Sequence, residues 1–289
     1  MIFNRGSELL VGHHWFRDQL LHAVEGFALA RRTPDVLRLF EIDFPANLYA
    51  GIRGNLLFPP AQAVRVVSFD GHFGIHRALE AGVDPPRTTR RAARPRARGY
   101  APHERSCSCA HKNKVRLCLP QRTGGWQFVV DPVTKQCLGA KEHVQNETLS
   151  DKLDIVTDVL AMDKVDPTIL IHDDMCHYEA YAKKHNAAAH SSVRTWVVDK
   201  FHRKNHKCKK RTWTKAQQRQ LKDVNSSFSE IFNGWCRPLN FFLNRLRPSS
   251  HRFWVEELIL FYNDHRDDVD LEEFLRGRGN VASRTGTRG

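Results

Sequence analysis

Three carboxylates stand where they could do metal-dependent chemistry. In ILIHDD, residues 169–174, an aliphatic run built for a sheet interior ends in Asp173 and Asp174. In VRVVSFDGHFGIHR, residues 64–77, a run of β-formers ends at Asp70-Gly71. Ligands and catalytic groups gather beyond the carboxyl ends of strands in open α/β sheets. Two acids delivered there repel unless a cation lies between them. Mg²⁺ or Mn²⁺ is the natural cation, because hard ions take carboxylate oxygens together with substrate phosphates. A pair of such ions about 4 Å apart can activate water or a hydroxyl and stabilise a leaving oxygen. Glu230, in the segment NSSFSEIFNGW at 225–235, is the candidate third acid. Each acid also has an ordinary reading. Asp70-Gly71 fits a turn, Asp173 and Asp174 fit helix caps, and Ser227-x-x-Glu230 fits a capping box.

A second set has soft ligands. Cys176, His202, His206 and Cys208 bring two thiols and two imidazoles, the donor set of a tetrahedral Zn²⁺ site. The alternative leaves Cys176 in the core and the histidines in a basic loop on phosphate. Cys107, Cys109, His111 and Cys118 form a looser group without finger spacing, read as no site. The basic loop itself runs through Arg203, Lys204, Lys207, Lys209, Lys210 and Arg211. Residues 203–222 hold nine Lys or Arg and no acid, which suits a DNA backbone.

The elements that would position these groups follow from local pattern. Residues 1–60 read as a helical region. WQFVVDPVTKQCLGAKE, 126–142, reads as strand, turn and strand, and LSDKLDIVTDVLAM, 149–162, as an amphipathic helix. A strand at 169–172, a helix at 176–185, a strand at 195–201, a helix from 225 and a last helix at 251–268 follow. The order from residue 64 is strand, hairpin, then alternating helices and strands. It predicts an α/β fold with a ribonuclease-H-like mixed five-stranded sheet flanked by helices, spanning 61–245. A C-terminal helical segment covers 246–276, and 277–289 is a disordered tail. Between Arg87 and Arg98 lie six Arg and no acid, so about 85–122 reads as a basic, disordered insert.

Bulk properties point the same way. Forty-five Lys and Arg against 32 Asp and Glu give a net charge of +13, which favours a polyanion partner, nucleic acid first. No apolar run is long enough for a membrane span. The N-terminus lacks a secretory pattern, and seven cysteines, an odd number, argue against a disulfide frame.

The wording of these segments resembles the Kyakuja–Dileera–Zisupton (KDZ) transposases. VVSFDGHFGIHR is similar to that family's first acidic motif and ILIHDDMCH to its second, an aliphatic strand, Asp, two residues and Cys. WVVDKFHRKNHKC resembles its Asp-x-Phe-His motif with a downstream His-Lys-Cys. NSSFSEIFNGW resembles its third motif, Asn, four residues, Glu, then Asn three residues on. The likeness runs in order from about 64 to 263. It implies a DDE transposase with Asp70, Asp173 and Glu230 as the acidic triad, and two Mg²⁺ or Mn²⁺ ions as cofactors. It also implies DNA ends and target DNA as partners, a nuclear setting and a homo-oligomer when active. The insert at 85–105 departs from the family pattern, and residues 1–60 carry no cysteine-cluster DNA-binding module. A non-catalytic, transposon-derived DNA-binding protein and a zinc-binding nucleic-acid protein are the alternative readings.

Overall fold

A computed structural model describes residues 54–79, 84, 121–144, 147–208 and 213–266. Most of the predicted helical region at 1–60, most of the Arg-rich insert with its four Cys and His residues, and the C-terminal tail lie outside the described residues. Lys209, Lys210 and Arg211 lie outside them too.

The fold is α/β, a six-stranded mixed open sheet flanked by helices. The strands are β1 (Leu56–Leu57), β2 (Val64–His72), β3 (Gly125–Val130), β4 (Cys137–His143), β5 (Val165–His172) and β6 (Thr195–Val198), in the spatial order β1-β4-β3-β2-β5-β6. Pairing is antiparallel from β1 through β2, then parallel from β2 through β5 to β6. The sixth strand corrects the expected five. Leu56–Leu57 falls in the segment read as helical, yet it is extended and adds an edge to β4. Two residues are too few for any periodicity to show.

The interior strands are mostly apolar because helices cover both faces of the sheet. All six residues of β3 are buried. On one face, Val67, Phe69, Val129, Leu138 and Leu170 meet helix α1 (Leu149–Leu160) and helix α2 (Met175–His185). On the other, Trp126, Phe128, Val130, Cys137 and Ala140 meet α4 (Phe228–Cys236) and α6 (Pro248–His265). Two short helices, α3 (Lys215–Gln220) and α5 (Asn240–Leu243), complete the α-helices among the described residues.

Several devices fix this frame. Thr148 caps α1 by accepting from the Asp151 N–H at 3.1 Å. Gly139 lets α1 close on β4, since a Cβ there would stand 2.7 Å from the Val159 Cγ2. Asn263 of α6 clamps β4 in the manner of a strand neighbour. It accepts from the Cys137 N–H at 2.8 Å and donates to the Cys137 carbonyl at 2.9 Å. Pro167 offers no N–H to the ladder, and the β2–β5 register shifts around it, between the Val64–Val165 and Val66–Ile169 pairs. Beside β4, the buried Arg77 grips both oxygens of Asp84, at 2.6 and 2.8 Å, and places its Nε 2.9 Å from Glu142.

Candidate active site

The parallel pair β2–β5 sets the site. Its last paired rung is Ser68–Ile171, and Asp70 and Asp173 each stand two residues beyond it. Equal offsets on neighbouring parallel strands bring two side chains together. Oxygens of Asp70 and Asp173 and a ring nitrogen of His172 lie within 4.8 Å of one another. Strand β2 does not end in a turn at Asp70-Gly71, as the sequence suggested, but continues to His72.

Helix α4 crosses this end of the sheet. Its stripe of Phe228, Phe232 and Trp235 is buried in the core, with the Phe232 ring 5.1 Å from Phe128. That stripe turns Ser229 and Asn233, one helical turn apart, towards β2. Ser229 Oγ lies 3.1 Å from Ser68 Oγ, and Asn233 Nδ2 donates to Asp70 Oδ2 at 2.8 Å. Glu230 therefore reaches the same corner from the flank. The capping alternatives are absent from the geometry. Neither Ser227 at the start of α4 nor Asp174 at the start of α2 makes a side-chain cap hydrogen bond.

A fourth carboxylate lies here that sequence reasoning missed. A Cβ on Gly71 would stand 2.9 Å from Glu147 Oε1, so Glu147 lies against the backbone beside Asp70. A larger side chain at Gly71 would have to push the Glu147 carboxylate aside. Lys152, buried on α1, sits 3.2 Å from Glu147 Oε1 and 2.8 Å from His172 Nε2. The His172 ring stacks on Phe69 at 4.4 Å and donates from Nδ1 to the Phe69 carbonyl at 2.8 Å. Its Nε2 is then held 2.9 Å from Asp173 Oδ1. No spacing rule links residues 147 and 152 to the strand-end acids. The α1–sheet packing alone joins them.

The acids carry their charge unequally. Burial, then the charges of Asp173, Glu230 and Glu147, push the Asp70 carboxyl well above the usual carboxylate range. Burial would also raise Asp173, but His172, Lys152 and His202 outweigh it and hold Asp173 well below that range. Glu230 is raised by burial and by Asp199 and Asp173, against the pull of His202. For Lys152, burial opposes the charge, and Glu147, Asp173 and Asp174 overcome it and raise its pKa.

The residues fit a hard cation. Asn233 Oδ1 is a buried acceptor without a hydrogen bond, and it borders the buried oxygens Asp173 Oδ1 and Glu147 Oε1, which are met by His172 and Lys152. An unmatched buried oxygen is costly, and a cation coordinated by oxygen relieves the cost.

The soft-ligand set divides. His202 leaves it. Its Nδ1 donates to Asp199 Oδ2 at 2.6 Å, and its Nε2 faces Glu230 Oε1 at 3.7 Å. The Asp199 hydrogen bond, opposed by burial and helped by the surrounding acids, raises its pKa. Cys176, His206 and Cys208 stay together, their ligand atoms within 4.8 Å. Of the basic residues, Lys204 and Lys207 are exposed, and Arg203 lies over the Trp213 ring at 5.3 Å. The four cysteines among the described residues, Cys137, Cys176, Cys208 and Cys236, form no disulfide. No helix among the described residues is long and apolar enough to cross a membrane.

Comparison with protein-family models, with curated proteins and with solved structures returned no match.

Proposed function

We propose that this chain is the catalytic domain of a DDE-type transposase, resembling the KDZ family and built on a ribonuclease-H-like sheet. The observation that carries the reading is the placement of Asp70 and Asp173 two residues past one rung of a parallel pair, with buried acceptor oxygens around them. An antiparallel β4-β3-β2 unit joined to parallel β5 and β6 supports the fold assignment.

Asp70 and Asp173 would hold Mg²⁺ or Mn²⁺, with Glu230 from the facing helix and Glu147 from the α1 side within reach. Such ions supply an activated water or 3′-hydroxyl and stabilise the leaving oxygen of a phosphodiester. The chain's own residues do the rest. Asn233 fixes Asp70, and Lys152 with His172 keeps Asp173 ionised and ready to ligate. His202, braced by Asp199, stands against Glu230 and sets how readily that acid is free. Arg203, Lys204 and Lys207 follow β6 directly and bring positive charge to the mouth of the site, where a nuclear DNA backbone would run.

The test is cleavage of supercoiled plasmid with Mg²⁺, Mn²⁺ or a chelator, comparing wild type with Asp70→Ala, Asp173→Ala and Glu230→Ala. Metal-dependent cutting lost in all three supports the reading. Cutting that survives the substitutions refutes the triad. A folded wild type that binds DNA without cutting it favours the non-catalytic, transposon-derived reading.

A further inference from the structure

The Cys176, His206 and Cys208 side chains come from two places that the sheet makes neighbours. Cys176 lies in the first turn of α2, just after β5. His206 and Cys208 follow β6 and the short 3₁₀ turn at Arg203–Asn205. Strands β5 and β6 are parallel partners, so the segments leaving them emerge side by side. His206 Nδ1 stands 3.6 Å from Cys176 Sγ and 3.6 Å from Cys208 Sγ.

Those two distances match a shared tetrahedral ion. A tetrahedral ion with Zn–S near 2.3 Å and Zn–N near 2.0–2.1 Å separates its sulfur and nitrogen ligands by about 3.6 Å. The set mixes soft thiolates with an imidazole, which suits Zn²⁺ and not Mg²⁺. His177 borders the cluster, its Nδ1 3.6 Å from Cys176 Sγ, but that same nitrogen is engaged by Asp174 Oδ1.

We propose that Cys176, His206 and Cys208 bind one Zn²⁺, with a water completing the tetrahedron. The ion would staple the loop after β6 to the start of α2. That loop carries His202, Arg203 and Lys204, so the staple would fix them beside the strand-end carboxylates. The site differs in donors and residues from the carboxylate centre, and its zinc content does not depend on any DNA chemistry.

The experiment measures metal content of the full chain, purified with zinc present and magnesium absent, alongside the spectrum of the cobalt-substituted protein. One zinc per chain and a thiolate-to-cobalt charge-transfer band are expected. Cys208→Ser and Cys176→Ser should lose the zinc, while the triple variant Cys107→Ser/Cys109→Ser/Cys118→Ser should keep it. Alkylation of wild type, which needs no variant to fold, should modify Cys176 and Cys208 only after chelation. A folded wild type without zinc overturns the proposal. So does zinc that persists in the Cys176 and Cys208 variants and vanishes from the triple variant.

Discussion

Asp70 and Asp173 stand at equal offsets beyond the Ser68–Ile171 rung, yet Asp173 has His172 Nε2 at 2.9 Å while Asp70 is held by the neutral amide of Asn233. One acid is thus stabilised as an anion, and the other is left to hold a proton until a cation arrives.

Binding of Mg²⁺ should therefore release a proton from Asp70 and strengthen as pH rises. Calorimetry in buffers of different ionisation enthalpy reads both. Affinity should climb by up to about tenfold per pH unit while Asp70 is protonated. Asp70→Asn should abolish the proton release and, without metal, stabilise the protein at neutral pH by about 1 kcal/mol. The sign follows from the raised pKa: the folded state binds the extra proton, so this group's contribution declines as pH rises above the unfolded carboxylate value. Magnesium binding that ignores pH would count against the arrangement.

Two histidines make the opposite contribution. His251 donates from Nδ1 to the Leu243 carbonyl and accepts at Nε2 from the Trp126 indole, so both nitrogens are committed to the neutral ring. Burial lowers the pKa of His251 to about 4 and that of His72, beside Asn240, to about 4 as well. Stability from these rings is complete above pH 6.5 and is lost as pH falls towards 4, about 3 kcal/mol each at most. Urea denaturation across that window should show the slope in an Asp70→Asn background, and His251→Gln should flatten it. An unchanged slope in that variant would remove His251 from the account.

Lys152 is the internal counter-ion of the site. Lys152→Met should cost about 2–4 kcal/mol at pH 7, because it leaves Glu147 without its cation and removes one of the groups that hold Asp173 ionised. Added Mg²⁺ should restore part of the loss. Combining it with Glu147→Gln should cost less than the sum of the two single changes, a coupling of at least about 1 kcal/mol in a double-mutant cycle. Strict additivity would mean that the two side chains do not interact.

Arg77 and Asp84 form a pair with side chains 1% and 2% exposed. Asp84→Ala should cost about 3–5 kcal/mol in chemical denaturation, since the buried guanidinium loses its two-pronged carboxylate partner. Arg77→Lys should be nearly as harmful, because an ammonium cannot reproduce the two-pronged grip. A loss under about 1 kcal/mol would place the pair in water.

The sequence made the strand-end acids visible because strands in a parallel sheet announce themselves as short aliphatic runs, and ILIHDD stops abruptly. Glu230 was legible through its place in an aromatic-striped helix. Glu147 and Lys152 were not, because their relation to Asp70 and Asp173 passes through the packing of α1 on β4 and β5, which no spacing encodes. His202 was misgrouped for a related reason. It lies four residues from His206, but the turn at Arg203–Asn205 sends the two rings to different partners. The edge strand β1 escaped because two residues carry no period.

The chain leaves the sheet after β2 and comes back to the same spot before β3. Leu79 donates its N–H to the Gln121 carbonyl at 2.8 Å, Ala78 bridges Arg122, and the Thr123 N–H returns to the Arg77 carbonyl at 2.9 Å. This makes a closed doorway, latched by Arg77 and Asp84. The crossing from β2 to β3 is therefore tied at its neck, so the register of the strand ends that hold the acids is set there, by three backbone ties and the Arg77–Asp84 pair.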